Sequence, residues 1–241
     1  MLASLIILNY NTPELTKKCL NSIVRFINSN QYEIIVVDNC SSQKKLEILK
    51  SELTNFPKTQ LILSPINKGF GGGCMLGALH AKGEYICFIN SDVEFIEDCI
   101  TPLCSYLNTD ATIGCITPQQ LNCHYSPKPS FDHGPSIKKE FFGKKILELL
   151  NPKKYPKRKI YTYQKPLEVI HVFGAIMLFP THVFFKVGGF DETLFLYYEE
   201  YDICTRLLKS GYKSVLLPNY SYLHIWINRS IPTHKTDFKY P

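Results

Sequence analysis

The sequence predicts an α/β fold built on a mostly parallel central sheet with helices on both faces. Two observations carry the prediction. Short apolar, β-branched runs alternate with helix-spaced segments through the first 92 residues, in the order β-α-β-α-β-α-β, which is the signature of a parallel sheet with crossover helices. Three of those runs end abruptly on polar residues, at Asn9-Tyr10, Asp38-Asn39 and Asn90-Ser91-Asp92, so the polar ends would share the carboxyl edge where open α/β sheets bind ligands.

The elements follow in order. Ser4–Leu8 reads as a buried strand, and Thr12-Pro13 supplies a cap and a first-turn proline for a helix with Leu15, Cys19, Ile23 and Ile27 at helical spacing. Glu33–Asp38 is the second strand, residues 44–55 the second helix, Gln60–Leu63 the third strand, and Gly69–Ala81 a glycine-opened helix. Tyr85-Ile86-Cys87-Phe88-Ile89 then runs into Asn90-Ser91-Asp92. A helix near Thr101–Leu107 and a strand at Ile113–Thr117 follow. Residues 126–166 are Pro-rich and basic and read as an insertion, with an amphipathic helix at Lys138–Leu150 carrying Phe141, Phe142, Ile146, Leu149 and Leu150. Regular structure resumes with strand Val169–Phe173, an apolar stretch Ile176–Phe179, helix Thr181–Val187, a Gly188-Gly189 turn and helix Glu199–Ser210. Gly211 is placed to end that helix, and Lys213–Leu217 is a strand that Pro218 should stop.

Composition narrows the classes. With 241 residues, 45% apolar and 13% aromatic, the chain has the composition of a globular protein and is long enough for one large α/β domain or two small ones. The longest apolar run, Val169–Pro180, falls short of the roughly 20 residues of a membrane span. Residues 1–8 carry no basic n-region, so the expected location is the cytoplasm. Nine cysteines form no C-x-x-C pair and predict reduced, mostly buried thiols rather than a zinc site. The formal charge is +6, yet residues 138–165 alone hold ten Lys or Arg against Glu140 and Glu148. Such a block reads either as a solvated face or as a surface for an anionic partner, with peripheral contact at the inner face of the membrane the expectation. Nucleic acid is not an expected partner, because no recognisable motif frames the tyrosines of the block.

Individually the polar motifs are modest. Asp92 after a strand reads as a turn residue as readily as a ligand. Asn67-Lys68-Gly69-Phe70-Gly71-Gly72-Gly73 opens a helix where backbone can approach phosphate, but it is neither a P-loop nor a dinucleotide fingerprint, and tight helix packing accounts for it equally. Asp202 and Arg206 have ion-pair spacing, which suffices for both. Glu199 and Glu200 follow an aromatic-rich loop, an arrangement suited to a partly buried carboxylate poised as a base.

In combination, Ile7-Leu8-Asn9-Tyr10-Asn11, Val36-Val37-Asp38-Asn39 with Ser41, Asn67-Lys68-Gly69-Phe70-Gly71, Asn90-Ser91-Asp92, Gly188-Gly189-Phe190-Asp191-Glu192, Tyr198-Glu199-Glu200-Tyr201-Asp202, Arg206 and His224 resemble the inverting family 2 glycosyltransferases of the GT-A fold, especially the rhamnosyltransferase-like bacterial members. The likeness runs from Leu5 to about His224, and it implies a single catalytic domain over 1–241 with a nucleotide-sugar-binding half (1–92) and an acceptor-side half (93–241) that holds the basic insertion 126–166. It implies sugar transfer, of rhamnose or another hexose in surface polysaccharide biosynthesis, from a dTDP- or UDP-type nucleoside-diphosphate sugar to a glycan or lipid-linked acceptor. It also implies a Mg2+ or Mn2+ cofactor at Asp92, with His224 able to contact metal or diphosphate. Asp38 would accept a hydrogen bond from the base, Asn9, Tyr10 and Asn67 would line the nucleoside pocket, and Gly69, Asn90 and Ser91 would face the donor. Glu200 would be the catalytic base, with Glu199 the second carboxylate for that role, and Gly174, Asp191 and Tyr198 would lie on the acceptor side. The chain departs from the family pattern in three places. Asn90 replaces the first acid of the Asp-x-Asp-type motif, Glu200 replaces the usual Asp, and Ile225-Trp226-Ile227-Asn228-Arg229-Ser230 replaces the glycine and serine expected after His224. A sugar-phosphate nucleotidyltransferase is the alternative enzyme class, but it carries a Gly-rich basic loop where this chain has Asn11-Thr12-Pro13-Glu14. A non-catalytic nucleotide- or glycan-binding relative is the non-enzyme alternative.

Overall fold

The structure is a computed structural model that describes residues 1–27, 30–134, 146–152, 155–158, 163–173 and 175–225. The period-2 geometry of a strand sends alternate residues of each apolar run to opposite faces of one sheet. Leu5, Ile7, Val36, Cys87 and Ile89 join one core cluster, and Ile6, Ile35, Val37, Ile86 and Phe88 join the other. Each face therefore needs its own cover of helices, which is why these strands read as continuous hydrophobic runs.

Strands β1 (Ala3–Asn9), β2 (Tyr32–Asp38), β3 (Thr59–Leu63) and β4 (Tyr85–Asn90) are parallel, in the order β3-β2-β1-β4. The sheet continues through β10 (Ile176–Pro180), β6 (Ile113–Leu121) and β11 (Lys213–His224), with β5 (Val93–Phe95) and β8 (Leu167–Val169) both pairing β11. Here β10 is antiparallel to both of its neighbours, and β6 runs parallel to β11. Helices α1 (Pro13–Phe26) and α4 (Ile100–Leu107) supply apolar residues to the first cluster, and Leu49 of α2 (Gln43–Leu53) joins them. The other cluster takes residues from α3 (Gly69–Ala78), α5 (Thr181–Lys186) and α6 (Glu199–Lys209). There Phe88 stacks on Phe190 and Phe184 at centroid distances of 4.8 and 5.0 Å.

Several elements differ from the sequence expectation. Strand β11 runs past Pro218, because a register shift between Leu217 and Ser221 falls where a residue without an N–H would otherwise break the ladder. That extension carries His224 to the sheet edge beside Val93. The expected strand Val169–Phe173 divides, since β8 pairs β11 while β9 (His171–Val172) pairs β7 (Phe131–Asp132) in a separate two-stranded sheet. Thr12 makes no side-chain cap to α1; its hydroxyl lies 3.1 Å from Ser91 Oγ instead. Of the amphipathic helix expected over 138–150, only 146–150 lies among the described residues, so Phe141 and Phe142 fall outside them. In that piece Leu147 is buried while Ile146, Leu149 and Leu150 are exposed. All nine cysteines are free thiols and seven are buried, as expected. Among the described residues no helix is long and apolar enough to cross a membrane.

Candidate active site

Parallel register aligns the strand ends. Asn9 sits opposite Asp38, and Leu8 opposite Asn90. Asn9 is fully buried and its amide donates to Asp38 Oδ1 at 2.7 Å and Ser41 Oγ at 3.1 Å, while its oxygen accepts from Thr16 at 2.9 Å. It holds Asp38 rather than facing the edge itself. Asp38 Oδ2 also accepts from the Ser41 amide at 3.0 Å, so each carboxylate oxygen has one partner where the pair can accept about four. Tyr10 is exposed beside them.

Asn39, which sequence reasoning quoted but did not select, organises the next turn. Its amide donates to Asn67 Oδ1 and to the Gly69 carbonyl, both at 2.9 Å, and its oxygen accepts the Lys68 amide at 3.0 Å. Gly69 has φ +72°, and a Cβ placed there would lie 1.9 Å from the Phe195 carbonyl oxygen. The Phe70 amide donates to that same oxygen at 3.0 Å. The glycine opening of α3 thus lets its backbone seat the 195–198 loop that leads into Glu199. Tyr197 and Tyr198 of that loop are exposed and held at φ 68° and 71°, a left-handed pair that enters α6 directly. Arg206 fixes the other side of the loop. It donates to Asp202 Oδ2 at 2.9 and 2.5 Å, to the Gly189 carbonyl at 2.6 Å and to the Val187 carbonyl, clamping the Gly188-Gly189 turn onto α6. Asp191 accepts from the Thr193 amide and hydroxyl at 2.9 and 2.7 Å, which lowers its pKa and shapes the turn.

Glu199 and Glu200 open α6 and line a cavity of about 770 Å3, together with Asn90, Ala175, His224 and Tyr197. Gln120, Lys128, Arg158 and Phe173 complete its walls. Burial raises the pKa of both carboxyls, against the lowering effect of backbone hydrogen bonds at the helix N-terminus. Glu199 rises to about 7, its repulsion from Glu200 adding to burial. It is 2% exposed, and its Oε1 takes no hydrogen bond among the described residues; the same is true of Asn90 Oδ1. Two buried, cavity-lining acceptors without partners suit a ligand that brings hydroxyl donors.

The raised Glu199 pKa has a stability consequence. Between 4.5 and about 7 the folded chain binds a proton that the unfolded chain does not, so this stabilisation is full below 4.5 and is lost as pH rises through 7. Glu199→Gln is expected to be more stable than the parent above pH 7, by about 2 kcal/mol, with the gap closing at pH 4.5. Thermal melts of both proteins across that range test it, and a gap that does not change with pH would refute it.

Across the edge, His224 Nε2 lies 3.1 Å from Asp92 Oδ1, and the Ile225 amide donates to the Asp92 carbonyl at 2.9 Å. One carboxylate and one imidazole meet at this point, while no cluster of three or more His, Cys, Asp or Glu is found among the described residues. That set fits Mg2+ or Mn2+ of the kind that takes its remaining ligands from substrate phosphate and water. Ser91 is buried against Thr12, and Tyr198 stacks on Tyr201 at 5.7 Å. Gly174 lies outside the described residues. Sequence reasoning missed Lys128 and Arg158, which lie in the Pro-rich, basic stretch 126–166, and Phe173 at the end of an expected strand; they meet only through the fold.

The chain is 28% identical over 189 residues to a poly(ribitol-phosphate) beta-glucosyltransferase of Bacillus spizizenii, spanning 76% of this chain and 27% of that protein. It is 25% identical over 232 residues to rhamnosyltransferase WbbL of Escherichia coli, spanning 91% and 82% of the two chains. The chain thus spans about a quarter of the first relative's length and most of the second's. The crystal structure of GalNAc-T7 with UDP, GalNAc and Mn2+ superimposes with a TM-score of 0.72 at 17% identity, over 94% of this chain and 44% of that one, which shows the GT-A fold. The sequence model described as glycosyl transferase family 2 matches residues 4–181, about three-quarters of the chain, and on that match the protein belongs to this family.

Proposed function

We propose that the protein transfers a hexose, rhamnose being one candidate, from a dTDP- or UDP-type nucleoside-diphosphate sugar to a hydroxyl of a glycan or lipid-linked acceptor, with inversion, in the building of a surface polysaccharide. The observation that carries this reading is the meeting, around one cavity, of two carboxyls of raised pKa with Asn90 at the end of β4 and His224, which itself lies 3.1 Å from Asp92. Family membership and the relatives' names support it.

In this mechanism Glu200 takes the proton of the acceptor hydroxyl. The oxygen attacks the anomeric carbon, and the bond to the nucleoside diphosphate breaks on the opposite face, giving inversion in a single displacement. Glu199, which lines the cavity and whose Oε1 takes no hydrogen bond among the described residues, holds a sugar hydroxyl rather than acting as base. Asp92 and His224 would hold the divalent ion, which supplies positive charge beside the departing diphosphate. Asp38 accepts from the base through its spare lone pairs, and Asn67 and the opening turn of α3 face the donor. The 1–92 half then serves the donor and the 93–241 half the acceptor. Exposed Leu149 and Leu150, within the stretch of ten cations at 138–165, support peripheral membrane contact. Anionic-vesicle binding that survives Leu149→Ser with Leu150→Ser would remove that contact from the reading. A nucleotidyltransferase is not favoured, since the turn after β1 is tied to the turn after β2 by the Asn11 amide on Ser41 at 2.8 Å and carries no Gly-rich loop.

The test is a melting-temperature screen against UDP-, dTDP- and GDP-sugars with and without Mn2+, followed by transfer assays with the stabilising donor and NMR of the product anomer. Stabilisation by one donor, turnover and an inverted product are expected. A retained anomer would exclude Glu200 as base of a single displacement, and unchanged metal dependence in Asp92→Ala would exclude the proposed ion site.

A further inference from the structure

Two glutamines stand side by side near the end of β6, and the fold uses them differently. Gln119 spends its amide on the turn that follows, Nε2 donating to the Gln120 carbonyl at 2.8 Å, the Lys128 carbonyl at 2.6 Å and Ser130 Oγ at 3.1 Å. Strand alternation sends Gln120 to the other face, where it lines the cavity. Its backbone is engaged, the N–H donating to Ser130 Oγ at 2.7 Å and the carbonyl accepting from the Lys128 amide at 2.9 Å. Its side-chain amide makes no hydrogen bond among the described residues, although Gln120 is only 7% exposed. A buried amide left open on a cavity wall is a group whose hydrogen bonds a ligand completes. Register decides which part of the ligand it meets. Gln120 pairs with Tyr222 on β11, two residues before His224 and on the same face of that strand. One strand spacing across and two residues along put its Cα about 8 Å from that of His224.

We propose that Gln120 determines which hexose is transferred, by exchanging hydrogen bonds with one ring hydroxyl of the donor sugar. This rests on the transferase reading and adds a specificity-determining residue that lies outside the motifs marking the family. With the diphosphate beside Asp92 and His224, the group next along the donor is the sugar joined to it, which is the part within reach of a side chain one strand away. Like His224, Gln120 is a donor contact supplied by the 93–241 half. The chemistry of the amide selects the class of sugar. An amide both donates and accepts, and so does a hydroxyl, so each can satisfy the other. A sugar that lacks the hydroxyl, or carries it in the other configuration, leaves the buried amide unpaired and is disfavoured. A uronic acid carboxylate fits poorly, since it has no hydrogen to give the amide oxygen and would share the cavity with Glu199 and Glu200. The sugar read by Gln120 is therefore a neutral hexose.

Calorimetric titration of the full chain in Mn2+ tests this, with UDP, dTDP and their glucose, galactose, N-acetylglucosamine and rhamnose conjugates as probes. The parent is expected to prefer one sugar over the others on the same nucleotide by about tenfold. Gln120→Met keeps the length of the side chain without its amide. It should shrink that preference to about twofold or less, with affinity for the bare nucleotide and the melting temperature close to those of the parent. Gln119→Met should do the reverse, lowering the melting temperature through three lost hydrogen bonds while keeping the sugar preference. Equal binding of all four sugars by the parent, or an undiminished preference in Gln120→Met, would overturn the inference. A melting temperature that falls as far in Gln120→Met as in Gln119→Met would make the amide structural and overturn it too. Sugar transfer with a preference that ignores Gln120 would leave the transferase reading standing. A parent that binds none of the nucleotide sugars would refute that reading itself.

Discussion

Glu200→Gln is expected to lower kcat by about 10²–10⁴-fold while leaving the fold and donor affinity close to those of the parent, because an amide keeps the shape of the carboxyl but cannot take a proton. The pH profile sharpens the expectation. Burial raises the Glu200 pKa above the ordinary 4.5, so the base is protonated and inactive on the acid side, and parent activity should rise with pH through that raised value. The residual activity of Glu200→Gln should lack this limb. Glu199→Gln should retain it, since Glu199 is assigned to hold a sugar hydroxyl and takes no proton in the reaction. Measuring kcat and KM of both variants across pH 4–9 distinguishes the two carboxyls. Near-parent turnover by Glu200→Gln with collapse in Glu199→Gln would exchange their roles.

Gly69→Ala is expected to be the most damaging single-methyl change outside the cavity. Its Cβ would meet the Phe195 carbonyl oxygen at 1.9 Å at a position with φ +72°, so the loss combines left-handed backbone strain with a main-chain collision that no rotamer relieves. Gly211→Ala separates the two contributions. Gly211 has φ +84° but nothing within 4 Å of an added Cβ, so it reports strain alone, about 1 kcal/mol. Gly69→Ala should lose roughly 3 kcal/mol, a melting temperature lower by about 6–12 °C. It should also raise donor and acceptor KM together, because the displaced Phe195 loop leads directly into Glu199 and Glu200. Equal melting temperatures for the two alanine variants would show that the loop yields without cost.

How much of this could be read from the chain differs by residue. Leu5, Ile6 and Ile7 announce a doubly covered strand by their unbroken apolarity, and the same holds for Ile86, Cys87 and Phe88. Asp38, Asn90 and Asp92 were legible because each terminates such a run, and a strand end has only one edge to occupy. His224 was visible as a motif residue, but its place was not. Pro218 reads locally as a strand terminator, and only the register shift that absorbs it brings the imidazole to Asp92. Glu199 and Glu200 could not be ranked from their neighbours in sequence, since both stand in the first turn of α6. The burial of Glu199 comes from packing against α3, where an added Cβ on Gly71 would lie 3.3 Å from Glu199 Cγ, and repulsion from Glu200 raises its pKa further.

The sequence by itself determined the alternation of elements, the parallel first half of the sheet, the reduced thiols and the family, because these depend on local periodicity, strand-end chemistry and ordered motifs. Tertiary structure alone decided that Gly69 serves the Phe195 carbonyl, that Asn9 holds Asp38 instead of facing solvent, and that Arg158 and Lys128 share a cavity with Glu199 and Glu200. The physical reason is range. Periodicity and capping act over a few residues, whereas a close backbone approach, a buried hydrogen bond between strands or a charge lining a cavity is set by groups that lie tens of residues apart in the chain and meet only when the sheet has assembled.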